Sequence, residues 1–314
     1  MGSYVGAGFS TGVGSYVGAG FSTGVGSYVG AGFSTGVGSM TWPEYLVLVV
    51  ALAFGFGGTA WLVRRYDLRR SNFRGQRIPS IAGLAFVLGG EFFYGSEWFL
   101  QGLHTSLAAV YFLVTLGFGG LGLLDDLKGD RTAGGFGGHL GALARGRLTT
   151  GAAKALGGGL LSLAAGFLIV SPRPFGYALL AGLLIALSAN TLNLLDLRPG
   201  RCLVGFFVGA ATVGAALLAQ HILGSGFLLW TAVAFALILY PLDAGGAAML
   251  GDTGANTFGA VLGVAGAIYF APVWQGVLVL VLLGFQFWCE RYSLSHVIEN
   301  SPFLRGLDRK LGVR

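Results

Sequence analysis

Charge is what this sequence has least of. Only 10% of its 314 residues are Asp, Glu, Lys or Arg, where a soluble domain carries about a quarter. A chain so poor in charge does not fold as an ordinary water-soluble domain. Cysteine is nearly absent too, with Cys202 and Cys289 the only two. That excludes a disulfide framework and, with four His in the whole chain, a thiolate–imidazole zinc site. Both thiols fall at the charged ends of apolar runs and read as inert packing residues. There is no GxxxxGK[ST] loop and no GxGxxG set between a strand and a helix, so the commoner soluble ways of cradling a nucleotide are missing.

What is there is apolar. Hydrophobic residues make up 54% of the chain, and about nine runs approach the roughly 20 residues that cross a bilayer. They are 44–63, 78–99, 105–124, 155–170, 177–196, 203–220, 227–243, 256–270 and 273–288. The last two are short and meet at Pro272, which leaves open a tight hairpin or one span fewer. The expected fold is an all-α integral membrane protein with nine to ten transmembrane helices. GFFVG (205–209) and GAVLG (259–263) are small-xxx-small faces that let such helices approach closely.

The little charge present is one-sided. Of the 19 Lys and Arg residues, all but Arg173 fall in alternate gaps, and every Asp falls on that side too. Glu44, Glu91 and Glu97 lie on the other side of this division. By the positive-inside rule the charged side is cytoplasmic, which puts the C-terminus inside and the N-terminus outside a cell (plasma) membrane. The net charge of +6 reads as topology and contact with anionic lipid, with no nucleic-acid partner. Residues 1–39 are of a different kind. GSYVGAGFSTGV occurs three times without a mismatch (2–13, 14–25, 26–37); natural repeats drift, so this reads as an added tag ahead of a native start at Met40. The domain that does the work is then 40–314.

Three segments on the charged side carry chemistry. In 120–154, Asp125 and Asp126 close an apolar run at a helix C-terminus, where backbone carbonyls already present partial negative charge. Adjacent carboxylates there call for a divalent cation or a cationic side chain, and Lys128 is the nearest. In 188–201, Asn190, Asn193 and Asp196 recur every three residues at the end of another apolar helix. Polar groups are costly in a membrane unless they line a cavity or pair across helices. In 244–259, Gly251-Asp252-Thr253-Gly254 sets a carboxylate between glycines at the start of a span, where backbone N–H groups favour phosphate. Together these are parts for magnesium-assisted phosphoryl chemistry, since Mg²⁺ is held typically by one or two carboxylates plus phosphate oxygens and water.

The three segments in this order resemble the polyprenyl-phosphate N-acetylhexosamine-1-phosphate transferase superfamily, which includes the MraY translocase of peptidoglycan synthesis and WecA-type transferases. LLDDLK (123–128) resembles its paired-aspartate motif, NTLNLLD (190–196) its N-x-x-N-x-x-D-G segment, and LGDTGAN (250–256) its G-D-x-G-S. The resemblance implies a cytoplasmic active site joining a polyprenyl phosphate to the phospho-sugar of a nucleotide-diphosphate sugar. It makes Asp125, Asp126 and Asp252 catalytic, with Asp252 and Asp126 on Mg²⁺ (or Mn²⁺). Asn190, Asn193, Asp196, Lys128 and Lys154 become substrate contacts. NFRGQRIPSIAG (72–83) resembles the family's basic stretch after the first span, so Arg74 and Arg77 join them. A homodimer is compatible with the same resemblance.

Two departures shape the reading. After Asp196 the chain runs Leu197-Arg198-Pro199-Gly200-Arg201, where the family has Gly and a further acid. Arg198 and Arg201 are then candidates to hold a diphosphate bidentately. No triple-His stretch occurs, which argues against a MurNAc-pentapeptide substrate. His139 and His296 are the only histidines on the charged side; each reads first as a surface residue, with His139 kept as a substrate-contact candidate. The alternatives are a catalytically silent polyprenyl-phosphate-binding scaffold and a transporter.

Overall fold

The computed structural model describes residues 41–100, 107–128, 150–170 and 174–312. His139 lies outside them. Nine long helices dominate the described residues: α1 (Trp42–Tyr66), α2 (Leu84–Leu100), α3 (Leu107–Lys128), α4 (Thr150–Val170), α5 (Phe175–Leu195), α6 (Arg201–Ala219), α7 (Phe227–Ala244), α8 (Gly251–Tyr269) and α9 (Pro272–Arg291). Two short ones follow, α10 (Leu294–Asn300) and α11 (Pro302–Leu311). Each expected apolar run overlaps one of the nine, and the largest offset is at the run from 78, whose helix starts at Leu84. Six segments are long and apolar enough to cross a membrane by length and composition: α1, α3, α5, α6, α9, and α7 with the 3-10 turn ahead of it. α2 has only 17 residues, Lys154–Val170 of α4 is a shorter apolar helix of the same kind, and glycine with polar residues dilutes α8. The chain is therefore an all-α, multi-pass membrane protein, with six segments among the described residues that meet the length and composition of a crossing.

The surface explains which solvent the bundle meets. α1 exposes Trp42, Leu46, Val49, Phe54 and Trp61, and α9 exposes Val273, Trp274, Leu280, Val281 and Phe287. Apolar faces of that extent are untenable in water and natural against lipid. The centre is α8, nearly all of whose residues are buried. It packs chiefly against α5 and α3, and glycine permits the approach. A methyl group on Gly259 would meet the backbone of Ser188 and Ala189, and one on Gly263 the Cα of Ile185 at 2.6 Å. Phe258 fills the remaining space, stacked on Phe86 at 4.3 Å and tilted against Phe206 at 4.9 Å. α8 and α9 are joined by a short turn ahead of Pro272, where Gln275 donates to the carbonyls of Ala267 and Phe270, and α9 then packs chiefly against α5.

At the charged end the chain between α1 and α2 is more structured than an apolar run from residue 78 implies. β1 (Arg69–Ser71) and β2 (Arg77–Pro79) pair antiparallel, Arg70 opposite Ile78. Asn72 closes their turn by accepting from the N–H groups of Arg74 and Gln76, both at 2.9 Å, and its amide donates to the Gly246 carbonyl. Met249 N–H bonds to Pro79, while Ala82 and Gly83 bond to Met249 and Leu250. Those bonds hold 79–83 out of helix, so α2 starts at Leu84.

The C-terminal helices are pinned to the same end. Arg201, 6% exposed, makes a two-pronged pair with Asp308 at 2.5 and 3.0 Å and donates to Ser295. Tyr240 donates to the Leu311 carbonyl. Removing one partner of a buried pair strands the other charge at a cost of about 3–5 kcal/mol. Arg201→Met is therefore expected to release α11 and speed tryptic cleavage at Arg305 and Arg309, while Arg201→Met with Asp308→Leu restores protection. Limited proteolysis in detergent reads both.

Candidate functional site

The site is built where α3 ends and α8 begins. Asp126, in the last turn of α3, accepts from the backbone N–H of Asp252 at 3.0 Å, from that of Thr253 at 2.9 Å, and from the Thr253 hydroxyl at 2.6 Å. A carboxylate from one helix thus caps the N-terminus of another, where the unpaired N–H groups and the helix dipole favour negative charge. Gly251 makes the contact possible. Its φ is 74°, and a Cβ there would sit 2.7 Å from the Ser80 carbonyl and 2.8 Å from Asp126 Oδ2. Arg70 donates to the Asp126 carbonyl oxygen from the hairpin side.

Asp125, next in sequence, turns elsewhere. The Lys154 ammonium on α4 lies 3.5 Å from Asp125 and is ion-paired with Asp252. The two carboxylates are also within hydrogen-bond reach of each other. The three side chains are 18–31% exposed, too enclosed for full screening by water and open enough for a ligand to reach. Asp196, just past α5, belongs to the same neighbourhood. Burial pushes its carboxyl well above the ordinary carboxylate range, and the charges of Asp243, Asp252 and Asp126 add to the effect while Lys154 opposes it. Asn193, one turn earlier, has a buried Oδ1 with no partner.

The remaining candidates are placed apart from this cluster. Asn190 donates to Gln286 of α9 at 3.0 Å, an interhelical tie. Arg198 pairs with Glu299 at 3.1 Å and Arg201 with Asp308, so both guanidinium groups hold the C-terminal helices. Arg74 lies over the Phe73 ring and Arg77 pairs with Asp67, both on the exposed hairpin. Lys128 is exposed at the end of α3. Sequence reasoning missed Asp243. It is 6% exposed and accepts from the Gly200 N–H at 2.7 Å and from Leu250, joining the start of α6 to the loop before α8. Its signal was present, since it ends an apolar run on the same side as the other aspartates. Nothing local marked Arg70.

Comparison with protein-family models and with curated proteins gives no match. The chemistry is therefore read from the geometry. Among the described residues no three His, Cys, Asp or Glu side chains form a metal-ligand set. Asp126, expected on Mg²⁺ together with Asp252, instead has its oxygens on the start of α8, while Asp125 and Asp252 both approach the Lys154 ammonium. Two carboxylates suffice for Mg²⁺ when a phosphorylated substrate and water supply the other oxygens, so the donor set fits.

The two adjacent aspartates should separate by experiment. Asp126→Ala removes three bonds to the start of α8 and is expected to cost about 2 kcal/mol or more, with Asp126→Asn costing less because one acceptor oxygen remains. Asp125→Asn should leave stability nearly unchanged. Thermal unfolding of the purified variants ranks them.

Proposed function

We propose that the charged end is a phospho-sugar transferase site on the cytoplasmic face of the membrane. The observation that carries this reading is the pair Asp125 and Asp252 closing on one cation at the mouth of the bundle, with Asp196 and Asn193 alongside. An oxygen of a polyprenyl phosphate attacks the sugar-proximal phosphorus of a nucleotide-diphosphate sugar. A phosphorus–oxygen bond forms there and the bond to the bridging oxygen breaks, so the nucleoside monophosphate leaves with that oxygen. The products are polyprenyl-diphosphate-sugar and the monophosphate, for envelope glycan synthesis.

The chain's own residues supply position and charge. Asp125 and Asp252 are the ligands a Mg²⁺ ion would use, and that ion, when bound, neutralises diphosphate charge. Asp126 holds the first turn of α8 so that Asp252 faces the cleft. Lys154 carries the cation that meets a phosphoryl oxygen once its carboxylates are otherwise engaged. The second pKa of a phosphate monoester is ~6, near that of phosphoserine, so the attacking lipid phosphate is largely ionised at neutral pH. Electrostatics and positioning then matter more than proton removal. The nine-helix arrangement with the N-terminus outside belongs to this reading, as does the plasma membrane.

A second reading has its own support. Lys154 already satisfies Asp125 and Asp252, and Arg198 and Arg201 are committed to the C-terminal helices. That is the pattern of a silent polyprenyl-phosphate-binding scaffold.

Purified protein with undecaprenyl phosphate, Mg²⁺ and a panel of nucleotide sugars decides between them through nucleoside monophosphate release. The transferase reading expects release with one sugar, abolished by EDTA and by Asp252→Asn. Lys154→Met should lower turnover about a hundredfold, the scale of losing one charge-stabilising donor. Lipid phosphate bound without release from any sugar would favour the scaffold.

A further inference from the structure

The last helix, α11, is charged along one side and apolar along the other. At about 3.6 residues per turn, Phe303, Leu304 and Leu307 share an arc of about 100°, and Arg305 and Arg309 lie on the opposite side. Asp308, between the two arcs, turns inward to Arg201. That ion pair sets which side of α11 meets the bundle and leaves the apolar edge unpartnered. Phe303 is 77% exposed and Leu307 46%, with Leu304 exposed beside them. In water such an edge would be a liability.

The height of α11 along the bundle decides which solvent it meets. Asp308 pairs with Arg201, the first residue of α6, and the Leu311 carbonyl accepts from Tyr240 near the end of α7. Gly312 lies against the Pro199 carbonyl just ahead of α6. Both α6 and α7, the latter with its 3-10 turn, are long and apolar enough to cross a membrane. Tyr240 precedes the last residue of α7 by about one turn, roughly 6 Å at 1.5 Å per residue. The C-terminal turn of α11 is therefore held level with the last turn of a crossing helix, where lipid headgroups meet acyl chains.

Between α7, α10 and α11 opens a cleft of about 1060 Å³ whose lining includes Tyr240, Ala244, Glu299, Arg305, Arg309 and Lys310. Glu299 already pairs with Arg198. None of the three cations makes an ion pair among the described residues. The cleft is therefore positive, and it has the volume of a small-ligand site. A basic side and a Phe/Leu side on one short helix at this depth is the pattern of an interfacial helix on an anionic leaflet. We propose that the cleft binds the phosphate headgroup of an anionic glycerophospholipid in the leaflet at the charged end, with Phe303, Leu304 and Leu307 seated among the acyl chains. None of these residues belongs to the Asp125, Asp252 and Lys154 cluster, so the site is independent of the transferase reading.

Native mass spectrometry of the full chain in a neutral detergent tests this, titrated with phosphatidylglycerol or with phosphatidylcholine of the same chains. One phosphatidylglycerol is expected to be retained at roughly tenfold lower concentration than phosphatidylcholine. Arg305→Gln with Arg309→Gln should need roughly thirtyfold more phosphatidylglycerol, the scale of two cations near an anionic surface. Arg64→Gln with Arg65→Gln, which removes two exposed cations at the same end, should leave retention unchanged. Phe303→Ser should weaken it roughly tenfold, and glycerol phosphate at equal concentration should not displace the lipid. Equal retention of the two lipids, or the same response in both arginine pairs, would reduce the cleft to diffuse charge and overturn the proposal. Displacement by glycerol phosphate would make it a free-phosphate site and overturn the lipid assignment. A dimer lost on Phe303→Ser, with no lipid retained, would assign the apolar edge to a second copy and overturn it as well.

Discussion

The end of α3 is fastened to the start of α8 by one carboxylate, and much of the charged end depends on it. α8 is buried on nearly every side, so its N-terminal N–H groups have little access to water. Asp126 reaches across from α3 and accepts from two of them. The same bonds hold Gly251 in a left-handed conformation that a side chain could not share with the Ser80 carbonyl and the Asp126 carboxylate. With α8 set this way, Asp252 points back toward Asp125 and Lys154.

Adjacent and chemically identical residues therefore have different partners. Asp126 and Asp243 spend their oxygens on backbone N–H groups, whereas Asp125 and Asp252 meet at the Lys154 ammonium. Arg198 and Arg201 divide from the cluster in the same way, since Glu299 and Asp308 bring α10 and α11 up to them. In a bundle with few charges, each ion pair determines which segment sits at the membrane edge.

Apolar runs, their breaks at proline and glycine and the one-sided charge were enough to read an all-α membrane protein from the sequence, because membrane burial is governed by local composition and length. Asp125, Asp126, Asn193, Asp196 and Asp252 were legible as a cluster for the same reason, each ending or opening an apolar run on one side. Which of these face one another was not legible. The pairing of Lys154 with Asp125 and Asp252 spans 98 positions at its widest, and the capping role of Asp126 depends on how closely Gly122 and Gly251 let α3 and α8 approach.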